Sequence, residues 1–160
     1  MNFGVLHMAR PERALVEAQR VLRPGGKFGF TAWAKPEEAI AFGIVLRAIG
    51  AHGNLQVSLP EGPPFFRFSE ADECVRSLLV AGFESPTVGR VPQLWRLPTG
   101  DGLFEAMKES TVRTAGLLHE QEPEVLAHIR DAIREAVEPY RKGDVIELPM
   151  PAILASGTKP

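Results

Sequence analysis

The sequence of 160 residues fits a single domain of ordinary size that can bury a hydrophobic core. Its formal net charge of -2, with acids and bases interspersed, argues against nucleic acid as a partner. One cysteine, Cys74, excludes an internal disulfide framework, and no apolar run approaches the roughly 20 residues that a membrane span needs. We therefore expect a cytoplasmic protein that binds neither nucleic acid nor membrane.

The first predicted elements are a strand, a helix and a second strand. The apolar run Asn2–Leu6 is too brief for a helix and predicts a buried strand. Pro11 opens a helix whose apolar residues recur at helical spacing, and Pro24-Gly25-Gly26 ends it. The aromatic-rich segment Lys27–Trp33 predicts the second strand.

Two further helices are predicted in the middle of the chain. Pro36 begins a helix that ends near His52. A proline-rich loop follows over residues 59–64, and Ser69 is the expected N-cap of the next helix, which ends at Gly82.

The last third of the chain predicts strand, two helices and strand. Residues 86–97 alternate loosely, although Pro92 confines this strand to an edge or a bulge. Helical stripes cover residues 103–118 and 123–140, and residues 145–155 predict a final strand. Strands separated by helices predict an α/β layered fold with parallel pairing.

Several short segments together resemble one block of a known enzyme family. In chain order they are Phe3-Gly4-Val5-Leu6-His7-Met8, Pro11-Glu12-Arg13-Ala14-Leu15, Glu17, Arg20-Val21-Leu22-Arg23-Pro24-Gly25-Gly26 and Phe28. This order and spacing resemble the second half of the class I S-adenosylmethionine-dependent methyltransferases, in the branch of ubiquinone and menaquinone biosynthesis enzymes. Ala81-Gly82-Phe83 is similar to the family's entry into its late hairpin.

The resemblance implies half of a Rossmann-like methyltransferase sheet, strands four to seven, with flanking helices. Residues 1–94 and 144–160 would form this half core, and residues 95–143 a helical substrate-covering insert in the same domain. The family's Gly-x-Gly-x-x-Gly cofactor turn does not occur in this sequence. The implied function is the C-terminal portion of a methyltransferase, which transfers a methyl group to a small hydrophobic acceptor and needs a missing N-terminal half.

The resemblance also implies a cofactor edge made by the first residues. Asn2, Phe3 and Leu6 would lie beside the methionine part of S-adenosylmethionine, at the carboxyl end of the fourth strand. His7 is the candidate base of this edge, because its ordinary pKa lies near neutrality. The alternative is that His7 only caps the strand.

Aromatic residues are the candidates for the substrate pocket. Trp33 would wall the acceptor site or pack in the core, and Phe65 and Phe66 would cover an apolar substrate or form a cluster under the loop. Four scattered histidines and one cysteine have no metal-ligand spacing, so we expect no metal site.

The implied absence of the first three strands predicts a partner. The edge Asn2–Leu6 would be open, and an open apolar edge is a template for another chain. Its cover would be a second copy, a chain that carries the missing half, or the helices within residues 95–140. Two other functions stay open: a non-catalytic dimerising module and a small-molecule-binding module, each derived from a methyltransferase.

Overall fold

The computed structural model describes residues 1–59 and 62–160. Six helices lie along these residues: α1 Pro11–Val21, α2 Ile40–His52, α3 Ala71–Val80, α4 Gly100–Ser110, α5 Arg113–His119 and α6 Pro123–Val137. Six strands accompany them: β1 Lys27–Trp33, β2 Glu84–Val91, β3 Leu94–Leu97, β4 Arg141–Lys142, β5 Val145–Pro149 and β6 Ala152–Thr158. Short 3₁₀ helices span Val5–His7, Arg67–Ser69 and Glu138–Tyr140.

The described residues group into two compact units. The first contains residues 1–35, 62–93 and 151–160, and the second contains residues 36–59 and 94–150. The assignment of the whole chain to one domain with a helical insert stays a prediction.

The first unit is built on a three-stranded antiparallel sheet with the order β1-β6-β2. Ala155 of the middle strand β6 pairs with Phe30 of β1 on one side and with Val88 of β2 on the other. The predicted parallel pairing is therefore wrong. β1 and β2 run in the same direction, but they do not pair with each other. β6 lies between them in the opposite direction and forms an antiparallel ladder with each.

Helices α1 and α3 supply the apolar side chains that cover this sheet. Leu15 of α1 and Leu78 of α3 are both 0% exposed and join Phe30 and Ala155 in one cluster. The alternation along β1 accounts for this, since every second side chain of a strand points to the same face. Burial of each such large apolar side chain contributes about 1.5–3 kcal/mol.

The chain reversal after α1 is held by the other end of the sequence. Gly25 has a φ of 74°, which glycine adopts without penalty, and its N–H donates to the Lys159 carbonyl at 2.9 Å. The Lys159 ammonium donates to the carbonyls of Arg20 at 3.1 Å and Leu22 at 2.9 Å. The predicted helix end before Pro24-Gly25-Gly26 is confirmed.

The second unit combines a small antiparallel sheet, order β3-β5-β4, with helices α2, α4, α5 and α6. Its core includes Ile44 of α2, Leu103 of α4, Ile133 of α6 and Leu148 of β5, all 2% exposed or less. α4 and α6 approach closely at Gly100, where an added Cβ would lie 2.7 Å from Arg134 Cα. Glycine at this position therefore sets the spacing of the two helices.

Two predicted helix starts are displaced. The helix expected from Pro36 begins at Ile40. Ser69 is not an N-cap, because its hydroxyl donates back to the Phe66 carbonyl at 2.7 Å and Glu70 occupies the cap position of α3. The predicted loop over residues 59–64 includes residues 60 and 61, which lie outside the described residues.

Three long predicted elements are each divided into two. The strand predicted over residues 86–97 is β2 and β3, and Pro92 lies between them. The helix predicted over 103–118 is α4 and α5, and the last predicted strand is β5 and β6, which belong to different sheets. Among the described residues, no helix has the length and apolar character to cross a membrane.

The described residues thus form a mixed α/β structure with two small antiparallel sheets. The half Rossmann-like sheet of strands four to seven is not confirmed, because the first of its predicted strands does not form.

Candidate functional site

Among residues 1–7, Met1 alone pairs with β1 in the manner of a strand. The Met1 amino group donates to the Gly29 carbonyl at 2.6 Å, and the Thr31 N–H donates to the Met1 carbonyl at 3.0 Å. The two bonds join Met1 to Gly29 and to Thr31, the residues on either side of Phe30, as in a parallel ladder. They add one parallel rung to β1.

The predicted strand Asn2–Leu6 is therefore wrong. Phe3 has a φ of 48°, which turns the chain away from β1, and Val5–His7 closes into a 3₁₀ helix. The apolar character that suggested a strand has another cause: Val5 and Leu6, 0% and 4% exposed, are buried in the core of the first unit. The predicted partner edge at Asn2–Leu6 consequently has no strand geometry.

A side chain of β1 holds the turn in place. The Thr31 hydroxyl accepts a hydrogen bond from the Phe3 N–H at 2.9 Å and donates one to Asn2 Oδ1 at 2.5 Å. The Phe3 ring stacks on Trp33, with centroids 4.0 Å apart and an interplanar angle of 22°. Asn2, Phe3 and Trp33, three of the residues singled out in the sequence, are therefore brought together at the end of β1.

A second aromatic group contains His7. Its ring lies 5.8 Å from that of Phe65, and Phe65 meets Phe66 edge-to-face at 4.9 Å. His7 is exposed, whereas both phenylalanines are half-buried. Phe65 packs against the same core cluster as Phe3 and Trp33.

The segment that carries Phe65 and Phe66 is fixed by an arginine. Arg67 donates from Nε to Glu73 of α3 at 2.5 Å and also forms an ion pair with Glu12 of α1. The pKa of Glu12 is lowered, first by a backbone hydrogen bond at the start of α1 and then by Arg67. Burial opposes ionisation of Glu73, but hydrogen bonds from Arg76 and Arg67 outweigh it and lower its pKa.

Thr31 and Arg67 were not predicted as site residues from the sequence. Thr31 could have been found from the strand period, because residues two apart on a strand share a face and Trp33 was already a candidate. Nothing in the sequence pairs Arg67 with Glu12, which lies 55 residues away.

The second unit contains an open cavity of about 360 Å³ lined by His52, His128, Asp131, Ala132 and Glu135. The rings of its two histidines lie 6.3 Å apart. Across residues 1–59 and 62–160, no group of three or more histidine, cysteine, aspartate or glutamate side chains is arranged to hold a metal ion.

No family model matches this sequence, and no curated protein matches it. A solved structure from Bacillus halodurans, described as a "putative methyltransferase", aligns over 99% of this chain and 67% of its own. The identity is 16% and the TM-score is 0.49, a likeness that carries no inference about activity.

Proposed function

We propose that this chain is the C-terminal part of an S-adenosylmethionine-dependent methyltransferase that acts on a small hydrophobic acceptor. The supporting observation is the meeting of Asn2 and Phe3 with Trp33 at one end of β1. By resemblance, the same residues border the cofactor and the acceptor in the family, although the segment that contains Asn2 and Phe3 is a turn and not a strand.

Methyl transfer by in-line displacement requires mainly that the protein position the acceptor. Bound S-adenosylmethionine would supply an electrophilic methyl group for in-line displacement. The chain's own residues would orient the acceptor and exclude water from it. Trp33, Phe65 and Phe66 are half-buried aromatics suited to an apolar acceptor, and exposed His7 beside Phe65 would accept its proton.

The residues fit the cofactor only in part. Asn2 offers an exposed amide and Phe3 an apolar ring, whereas the Leu6 side chain is buried in the core and would contribute only backbone. The glycine-rich turn that cradles the cofactor does not occur in these 160 residues. This chain would therefore bind the cofactor through its methionine part, and residues outside this sequence would have to cradle the rest.

Tryptophan fluorescence tests the proposal directly, because the two tryptophans lie in different units. In the Trp95→Phe variant only Trp33 reports, and we expect saturable quenching by S-adenosylmethionine and by its demethylated product. The Trp33→Phe variant is the matched control, in which Trp95 beside Phe42 of the second unit should not respond. A flat titration of both variants, with calorimetry also showing no binding, would overturn the proposal for this chain.

We further propose that β1 is the edge that a second polypeptide covers, either another copy or a chain with the glycine-rich half. The other edge of this sheet is protected: β2 contains Pro86, a register shift between Glu84 and Thr87, and a φ of 47° at Ser85. β1 is the other edge strand of this sheet, and it lacks these protective features in the described residues, where Met1 adds one parallel rung to it.

This partner proposal also favours the dimerising module as the second candidate function. Light scattering after size exclusion, over a range of concentrations, measures the oligomeric state. A dimer that binds no cofactor would support the module. A monomer at every concentration, also after addition of candidate N-terminal halves, would exclude the partner.

A further inference from the structure

Thr31 of β1 forms a hydrogen bond with each of the first three residues of the chain. Its N–H donates to the Met1 carbonyl at 3.0 Å. Its hydroxyl donates to Asn2 Oδ1 at 2.5 Å and accepts from the Phe3 N–H at 2.9 Å. The Thr31 hydroxyl thus donates a hydrogen bond to one residue and accepts one from the next residue along the chain.

The conformation that these bonds hold is unfavourable by itself. Phe3 and Ser85 are the non-glycine residues with positive φ in the described part of the chain. A left-handed conformation is unfavourable for a residue with a Cβ, so the surrounding contacts must stabilise it. For Phe3 these contacts are the hydrogen bond to the Thr31 hydroxyl and the ring stack on Trp33.

We propose that Thr31 is the positioning residue of the candidate cofactor edge. Its hydroxyl sets the direction of the Asn2 amide and holds Phe3 in the turn that places its ring on Trp33. This inference rests on the function proposed above, and it deepens that function by naming the group that pre-organises the edge for S-adenosylmethionine.

A purely structural role would produce a different pattern. If Thr31 served only the fold, loss of its hydroxyl would lower stability without a specific change at Trp33. Positioning instead predicts that the Trp33 environment and the cofactor affinity change together. Both should be restored by a side chain that keeps the hydroxyl.

The test uses the Trp95→Phe chain as the parent, so that only Trp33 is observed. Thr31→Val is nearly isosteric and removes the hydroxyl, whereas Thr31→Ser retains it. Thr87→Val is the matched control: the Thr87 hydroxyl bonds Ser156 Oγ at 2.9 Å on the same sheet, between β2 and β6. Each variant is measured for Trp33 emission, acrylamide quenching, thermal midpoint and S-adenosylmethionine affinity.

We expect Thr31→Val to shift Trp33 emission to the red, to increase its quenching, and to weaken cofactor affinity about tenfold, equal to about 1.4 kcal/mol. Thr31→Ser and Thr87→Val should match the parent in emission and affinity. Parental emission in Thr31→Val would overturn the inference. If the parent itself binds no S-adenosylmethionine, the proposed function fails, while the emission of Thr31→Val against Thr31→Ser still decides whether Thr31 positions the turn.

Discussion

At the scale of single residues, Cys74 shows how burial controls a reactive group. Its side chain is 0% exposed, and Sγ lies 3.3 Å from the Phe68 carbonyl that accepts its hydrogen bond. Burial raises the pKa of the Cys74 thiol from an ordinary 9.0 to about 12. Because the thiolate is the reactive form, the folded chain keeps this thiol inert at neutral pH.

We expect native protein at pH 8 to react with a disulfide reagent only as fast as it unfolds, and denatured protein to react at once. The proton linkage adds a second expectation. The unfolded thiol loses its proton above about pH 9 while the folded thiol keeps it, so the free energy of unfolding falls as pH rises beyond 9. Rapid stoichiometric labelling of native protein would contradict this. Cys74→Ala should remove the alkaline contribution.

At the scale of secondary-structure elements, the contact of α4 with α6 depends on one missing Cβ. A methyl group at Gly100 would lie 2.7 Å from Arg134 Cα and 2.9 Å from Val137 Cγ2. Gly102, two residues along the same helix, would place its Cβ no closer than 3.7 Å to Pro98. The two glycines therefore differ in packing while they share a helix.

We expect Gly100→Ala to lower the free energy of unfolding by about 1–3 kcal/mol, because the helices must separate. Gly102→Ala should be neutral or stabilise by up to about 1 kcal/mol, since alanine is the better helix former. Urea denaturation of both variants measures the difference. Equal stabilities would show that α4 and α6 can adjust to the added methyl group.

The elements also show how far the sequence predicts this fold. Local signals succeeded: Pro11 and Pro123 each stand at the first position of a helix, and β1 spans Lys27–Trp33 as predicted. Predictions that depend on contacts between distant parts of the sequence failed, because nothing in the sequence near β6 indicates that this strand will lie between β1 and β2. Asn2–Leu6 failed for a related reason, since burial of Val5 and Leu6 is compatible with strand or 3₁₀ helix and Phe3 decides between them.

The candidate site was predictable as a set of residue types and not as an arrangement. Asn2, Phe3 and Trp33 were chosen from a resemblance, and the structure brings them together. The strand period places Thr31 on the same face as Trp33, but its two hydrogen bonds could not be inferred, because the turn at Phe3 that creates them was itself unpredicted.

At the scale of the whole molecule, carboxylates paired with cations make the free energy of unfolding depend on pH in the acidic range. The pKa values of Glu12 and Glu73 are lowered, and those of Asp101 and Glu147 are lowered by hydrogen bonds from arginine or lysine. A lowered carboxyl pKa contributes stability that is present above the unfolded value and is lost as pH falls through the folded value. We expect the free energy of unfolding to decline below about pH 4.5, the ordinary glutamate value.

Glu73→Gln tests one of the two most enclosed of these carboxylates, since the side chains of Glu73 and Glu147 are both 15% exposed. We expect a loss of about 1 kcal/mol at pH 7 and a shallower decline in acid, because Arg67 loses a charged acceptor. Glu17→Gln is the control, since its pair with Arg20 is 60–68% exposed and should contribute little. Identical acid profiles of wild type and Glu73→Gln would show that this network carries no linkage.

The central place of β6 has a consequence for synthesis. A ribosome delivers β6 after every other element described here, yet β1 and β2 meet only through it. Until then a nascent chain holds β1 and β2 without the ladders that β6 forms with them, and α1 and α3 have no complete sheet to cover. The first unit must therefore fold after translation of Ala152–Thr158, and a chain released early would be prone to aggregate.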